Sequence, residues 1–441
     1  MIAYRLLLAC GLAVSMAQSV RAQDTLRLGV LQAAAVARDP RTTQHELARA
    51  SSALRVTSLE MERRPQLSLS GSASHQSDVT FVPLTLAGTS LAIPPRDRWQ
   101  ATLDLQQLLY DGGAIAARAL LERSRLAETA AAVDAALYRV TAEVNGAFFT
   151  AFLLQERVRE FVALRVDLDA RLQLARARVT NGAALSRDTL AIVAEQLRAE
   201  LSRDEASSAR RASLAILTRL TGIATREAAV LLLPDLATAV SQASEGGDPE
   251  SLRDRPEFAQ FDRMRERLGR EAALARTENR PRLLAFGQAG LGRPGLNQFR
   301  TSPDEFWQAG LRVEWRPWTW RSAERSTRAL ELQARVVTTE ERALAEQLAR
   351  AVEGDRADIE RLTRALAADA RLVTLRHEIE RQAQLQFAEG VITAADYIEM
   401  RTDVLEATLT MARHRAEQSQ AEARYLTTLG LAPRTIQSQT P

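Results

Sequence analysis

Few residues in this chain of 441 have side chains suited to chemistry. The histidines, His45, His75, His377 and His414, have no metal-ligand spacing among them. The one cysteine, Cys10, sits in an apolar leader. No phosphate loop, nucleophile elbow or paired-cysteine motif occurs. The sequence therefore carries no catalytic constellation and no cofactor or metal site, and it reads as a non-enzyme. The acidic residues that stand out are Asp396 and Glu399, an i, i+3 pair that projects from one helical face.

The leader "MIAYRLLLACGLAVSMAQSVRAQ" has an apolar run from Leu6 to Ala17 and a small-x-small site at Val20, Arg21 and Ala22. This is the pattern of a secretory signal peptide over residues 1–22. Leu7-Leu8-Ala9-Cys10 is an alternative lipid-attachment box. With the first cut the exported chain loses its cysteine, and with it any disulfide or thiol nucleophile. The formal charge of +3 becomes +1 without Arg5 and Arg21. So neutral a chain has no electrostatic footprint for nucleic acid. No run of about 18 apolar residues follows the leader, so no helix reads as membrane-spanning. Barrel strands carry much weaker hydropathy signals and remain open.

The elements that would position any site come twice. Trp99-Gln100-Ala101 recurs as Trp307-Gln308-Ala309, Gly146 as Gly354, and Asn181-Gly182 as Glu389-Gly390, all displaced by 208 residues. Upstream, Asp39-Pro40 and Arg64-Pro65 match Arg255-Pro256 and Arg280-Pro281 at a displacement of 216, so the first half holds eight extra residues before Trp99. These fall between Pro65 and Trp99. We read a first repeat at 23–235 and a second at 251–430, with a linker at 236–250 and a tail at 431–441. The first repeat has strands near 65–75 and 99–109, a long helix at 112–180 and a return helix at 184–221. The second has strands near 281–291 and 306–316, a long helix at 321–389 and a return helix at 393–429. The long helices carry heptad seams: Val133, Leu137, Val140, Val144, Ala147 and Ala151 in one, Val352, Ile359, Leu366 and Val373 in the other.

Heptads alone fit a secreted or periplasmic coiled-coil scaffold or adaptor without a pore, and that stands as the alternative. The strands argue against it. Leu67, Leu69, Gly71 and Ala73 alternate with Ser68, Ser70, Ser72 and Ser74, and the segments after Trp99 and Trp307 alternate likewise. Strands of about ten residues are long enough to cross a bilayer when tilted. Four cannot close a barrel, and an open edge in lipid leaves backbone groups unpaired. Closure must come from other copies, and three would supply twelve strands, apolar outward and polar inward. Trp99, Trp307, Trp315 and Trp318, near strand ends, would form a girdle at the headgroups, and as core residues they would be equally ordinary.

These features resemble the TolC-like outer-membrane efflux proteins: the Arg-Pro-Gln-Leu and Arg-Pro-Arg-Leu strand starts at Arg64 and Arg280, "LLYDGG" leading into the first long helix, and the turns "TNGAALSRDTL" and "AEGVITAADYIEM". The resemblance implies a homotrimer with a 12-stranded outer-membrane β-barrel and a long α-helical coiled-coil tunnel in the periplasm. It also implies a periplasmic adaptor and an inner-membrane pump as partners, with outer-membrane lipid around the barrel. Asn181, Gly182, Ala183, Leu185 and Ser186, with Gly390, Val391, Ile392 and Thr393, would make the adaptor-facing tips. Independently, glycine suits such turns, and Ser186 or Thr393 can cap the returning helix. By the same resemblance Asp396 and Glu399 would form a periplasmic gate. Ile392 stands where relatives can carry a basic latch residue, which points to Arg187 beside Asp188 as the latch here. A plain solvated helix start, with Asp396 favoured by the helix dipole, is the other reading.

Overall fold

The computed structural model describes residues 25–79, 85–86, 89–90, 93–245, 249–297 and 301–431. The expected signal peptide with Cys10, the tail from residue 432, and parts of the first inter-strand loop lie outside them. In chain order the main elements are β1 (Thr25–Arg27), α1 (Leu28–Arg38), α2 (Thr42–Met61), β2 (Gln66–His75), β3 (Asp97–Tyr110), α3 (Ala114–Thr180) and α4 (Ser186–Thr221). There follow β4 (Val230–Leu232), α5 (Ala237–Glu245), α6 (Pro256–Ala275), β5 (Arg282–Arg293), β6 (Asp304–Glu314), α7 (Ser322–Glu389) and α8 (Ala394–Thr428). The protein is mainly helical. Among the described residues no helix is long and apolar enough to cross a membrane.

The described residues divide into two compact units, one within 1–42, 133–258 and 342–441, the other within 43–132 and 259–341. Neither unit is one of the sequence halves, because α3 and α7 each contribute a stretch to both units.

The helical unit is built on the heptad seams. Val133, Val140, Val144 and Ala151 of α3 are buried, as are Leu348 and Val352 of α7. Around them Leu28, Leu31, Phe148, Phe149, Leu217, Leu231, Tyr425 and Leu426 form one apolar cluster. Phe148 and Phe149 meet edge to face with centroids 5.3 Å apart, a favoured aromatic geometry. β1 pairs parallel with β4, Leu26 opposite Leu231. Buried Gln32 donates to Asn145 Oδ1 at 2.6 Å, and Tyr138 donates to the Thr427 carbonyl at 2.5 Å. The segment expected as a linker contains helix α5 instead. Leu236, Ala239, Val240 and Ala243 recur at helical spacing and pack on the same cluster, which gives the segment an apolar face to bury.

The other unit is built on an antiparallel sheet of order β2-β3-β5-β6. Its register sets Leu67 opposite Leu105, Leu69 opposite Leu103, Leu103 opposite Ala289, and Ala289 opposite Trp307. Because paired residues share a face, one side of the sheet is apolar and mostly exposed, Leu69 being 81% and Trp307 76% accessible. The opposite side is polar. Ser70 donates to Asp104, Gln288 donates to the other Asp104 oxygen at 2.6 Å, and Gln308 donates to Gln288 at 2.6 Å. This ladder runs across all four strands. The helices of this unit are joined to one another by ion pairs: Arg118 with Glu62, Arg55 with Glu122, and Arg267 with Glu128.

Two changes test the helical core. Phe148→Ala empties a fully buried site and is expected to cost about 3–5 kcal/mol in denaturant unfolding. Burial, with Asp235 nearby, raises the Glu422 carboxyl from 4.5 to about 7. The unfolded chain therefore ionises first, and stability falls as pH rises from about 4.5 to about 7. Glu422→Gln is expected to flatten that part of a stability-against-pH curve; an unchanged slope would assign it to other groups.

Candidate functional site

The two turns at the ends of the long helices share one backbone construction. After α3, Gly182 has φ 71°. Its N–H bonds the Val179 carbonyl, and the Ala183 N–H reaches back to Arg178 at 2.8 Å. After α7, Gly390 has φ 79°. Its N–H bonds Phe387, and the Val391 N–H reaches Gln386 at 2.8 Å. Both are Schellman closures, which need a left-handed residue after the helix and explain the glycines.

The returning helices start differently. Thr393 precedes α8 and accepts from the Asp396 N–H at 3.3 Å, while Asp396 Oδ2 accepts from the Thr393 N–H at 2.9 Å and its hydroxyl at 2.7 Å. This is a complete capping box. At the other turn the capping position is Leu185, which has no side-chain acceptor, and only the Asp188 carboxylate reaches back, accepting from the Leu185 N–H at 3.3 Å. Ser186 is therefore not the cap, because it is already the first residue of α4. Asn181, Gly182, Ala183, Leu185, Ser186 and Val391 are exposed. Ile392 is half-buried against the apolar cluster of Leu164, Leu168, Ile192, Phe387 and Tyr397.

The two turns are joined. Arg178, in the last turn of α3, donates to the carbonyls of Phe387 and Ala388 in the last turn of α7, and its guanidinium lies 5.7 Å from the Phe387 ring centroid. A cation there satisfies the Ala388 carbonyl and gives the Phe387 carbonyl, which already accepts from Gly390, a second donor at a helix C-terminus. Phe387 stacks on Tyr397 at 5.5 Å. Tyr397 donates to Asp167 at 2.8 Å and accepts from Arg171 at 3.2 Å, while Arg401 lies between Asp167 at 3.5 Å and Glu380 at 3.3 Å. Sequence reasoning missed this inner network of Asp167, Arg171, Glu380, Tyr397 and Arg401. Its members come from three helices, and no local spacing connects them.

The four residues expected at a gate are only partly brought together. Asp396 is held below the ordinary carboxylate range, chiefly by the Thr393 hydroxyl and N–H and further by the positive charge of Arg187 from the other turn. Glu399 is exposed, one turn along α8. Asp188 is engaged at the start of its own helix. Among the described residues no group of three or more His, Cys, Asp or Glu is placed to hold a metal ion.

In the sheet unit, Trp99 and Trp307 stand on the apolar face towards one end of the strands. Trp315 and Trp318 follow the other end of β6, and so does Trp320, which the expected girdle omitted. Its spacing of two from Trp318 was the available signal.

No protein-family model matches the chain, and no curated protein matches it by sequence. Among solved structures it is similar to CusC, described for conformational changes accompanying folding and transmembrane channel formation, with a TM-score of 0.67 and 14% identity over 91% of this chain and 92% of that one. It is similar to the outer membrane protein VceC from Vibrio cholerae, with a TM-score of 0.65 and 14% identity over 91% and 96%. It is also similar to the open state of the MtrE outer membrane channel of Neisseria gonorrhoeae, with a TM-score of 0.65 and 17% identity over 92% and 89%. The chain has the fold of these outer-membrane proteins, in line with the TolC-like resemblance carried by its motifs.

The caps give a paired prediction. Thr393→Ala is expected to lower stability by about 1 kcal/mol, and Leu185→Ser to raise it by a similar amount. Denaturant unfolding of the detergent-solubilised protein checks both, and equal effects of one sign would contradict the assignment. Because the folded-state pKa of Asp396 is lowered, its contribution is present above its ordinary pKa and lost as pH falls through the lowered value.

Proposed function

We propose that the chain is a TolC-like outer-membrane channel of a tripartite efflux or type I secretion system. It passes substrates from an inner-membrane pump and periplasmic adaptor to the exterior. Three copies close a barrel of twelve strands in the outer membrane, and the long helices form a tunnel in the periplasm. The two repeated halves are then two copies of one hairpin-and-helix unit.

The observation that carries this reading is the four-stranded sheet with an exposed apolar face and two aromatic levels. From Trp307 to Trp315 the chain advances eight residues, or about 26 Å at strand rise. At the tilt of about 40° that such strands take, this spans about 20 Å of height, most of the apolar band of about 25 Å between the girdles of an outer-membrane barrel. Exposed apolar residues on the tip helices support assembly: Leu190, Leu197 and Leu201 on α4, and Leu372, Leu375 and Ile379 on α7. They lie at coiled-coil intervals and would be covered by neighbouring copies. The fold shared with outer-membrane channels supports the same reading.

At the tips, Asn181, Gly182, Ala183, Leu185 and Ser186, with Gly390 and Val391 and the half-buried Ile392 and Thr393, offer the adaptor a compact surface. Asp396 and Glu399, repeated by threefold symmetry, form rings of negative charge that attract cations. Arg187, whose charge already acts on Asp396, is the latch, and Asp188 holds the start of its helix.

In planar bilayers the protein is expected to form channels, and Asp396→Asn with Glu399→Gln to lower the cation-to-anion permeability ratio by about twofold or more. An unchanged ratio would remove these residues as the gate. Gly182→Glu or Gly390→Glu adds strain of about 1 kcal/mol at a left-handed position and a charge on the docking surface. Export is expected to fail while assembled protein stays in the outer membrane. Loss of the assembly itself would assign the glycines to folding alone.

A further inference from the structure

One cleft in the sheet unit lies away from the strands and from the turns of the long helices. Where α6 leads towards β5 and α7 begins, a cavity of about 610 Å³ is lined by Arg276, Asn279, Glu324, Thr327, Arg328 and Glu331. Its charges come in both signs. Arg328 pairs with Glu331 at 2.8 Å, and Arg276 approaches the same carboxylate at 4.0 Å. Thr327 is only 7% exposed, and its hydroxyl has no hydrogen-bond partner among the described residues. A helical threonine commonly bonds the carbonyl four residues back, as Thr338 does to Ala334 on the same helix. Thr327 does not, so a buried donor lines the cavity unused.

Beside this cleft the backbone is strained. Trp320 has φ 50° and Arg321 has φ 59°. The positions 208 residues earlier are Gly112 and Gly113, with φ 67° and 87°. Glycine takes this conformation freely, whereas a side chain pays a steric cost. The strained segment sets Trp320 edge to face on Trp318, with centroids 5.8 Å apart, and both rings are about three-quarters exposed. Asn279, which lines the cavity, holds the segment that links β6 to α7. Its carbonyl accepts from Trp315 at 3.1 Å and its Oδ1 accepts from Thr319 at 3.0 Å.

We propose that this cleft binds the headgroup of a zwitterionic phospholipid. Arg276 and Arg328 receive the phosphate, the Thr327 hydroxyl donates to a phosphoryl oxygen, and Glu324 and Glu331 receive the ammonium. The acyl chains run along Trp318 and Trp320. A free phosphate or an anionic headgroup would leave the two glutamates facing negative charge, which is why both signs of charge select a zwitterion. The proposal rests on the sheet being membrane-spanning, because that places the tryptophans at headgroup level.

The test uses the purified full-length protein in detergent micelles, mixed with phosphatidylethanolamine, phosphatidylglycerol or inorganic phosphate, with retained molecules counted by native mass spectrometry. Phosphatidylethanolamine is expected to be retained about tenfold better than phosphatidylglycerol, with phosphate not retained. Arg276→Gln with Arg328→Gln lowers that retention about tenfold, and Glu324→Gln with Glu331→Gln removes the preference between the lipids. Thr327→Val lowers retention about threefold yet raises the melting temperature of the lipid-free protein, because an unpaired buried hydroxyl is gone. Equal retention of both lipids, retention of phosphate in place of lipid, or variants that behave as wild type would overturn the proposal. So would an assembled particle that retains no lipid because a second copy covers the cleft. Protein that conducts in bilayers but retains no lipid overturns this proposal alone; protein that neither inserts nor retains lipid overturns the channel reading as well.

Discussion

An antiparallel sheet of four strands ends in two rows of backbone N–H and C=O groups without partners, and the proposed assembly answers to that. Among the described residues β2 and β6 have a neighbour on one side only. In water such edges invite aggregation; in lipid each unpaired group costs several kcal/mol. A face carrying Leu67, Leu69, Leu103, Leu311 and Trp307 in the open is equally untenable for a lone soluble chain. The proposed channel answers both problems: the edges of several copies pair and the apolar face meets hydrocarbon. The hydrogen-bonded ladder of Ser70, Asp104, Gln288 and Gln308 then faces a water-filled interior, where polar side chains cost little.

The helical ends follow a similar economy of unsatisfied groups. Each long helix leaves carbonyls open at its last turn, and the Schellman closures at Gly182 and Gly390 satisfy some of them internally. Arg178 satisfies one more, at Ala388, and shares the Phe387 carbonyl by crossing from one turn to the other, which ties the tips of the two helix pairs to each other. The asymmetry between Thr393 and Leu185 leaves α4 with the weaker start. The inner network around Asp167 and Tyr397 sits directly behind these turns, so a change at the tip bears on buried charge rather than on a surface loop.

Much of this was legible in the sequence because it depends on period. Alternation from Leu67 to Ser74 fixes the faces of β2 whatever it pairs with, and the recurrence of Trp99-Gln100-Ala101 at Trp307 marks the second strand pair. The glycines of the turns announced themselves through their special backbone freedom. What stayed hidden depends on contacts between distant segments. Nothing local says that Arg178 will reach Ala388, or that Asp167, Arg171 and Arg401 will gather round one tyrosine hydroxyl. The capping residue was misplaced by one position because Ser186 looks like a cap, whereas the turn's register sets Leu185 there. Trp320 and Arg321 could not be foreseen in left-handed conformations, since their residue types argue against it. The helix at 237–245 was within reach, since Leu236, Ala239, Val240 and Ala243 already carry its spacing.

The central claim is that the sheet closes only in the company of other copies. The most direct measurement is the native mass of the protein extracted from isolated outer membranes, corrected for bound detergent. Three chains per particle is the predicted result. A soluble monomer or dimer absent from that membrane would contradict it, since the strands could then not be part of a shared barrel.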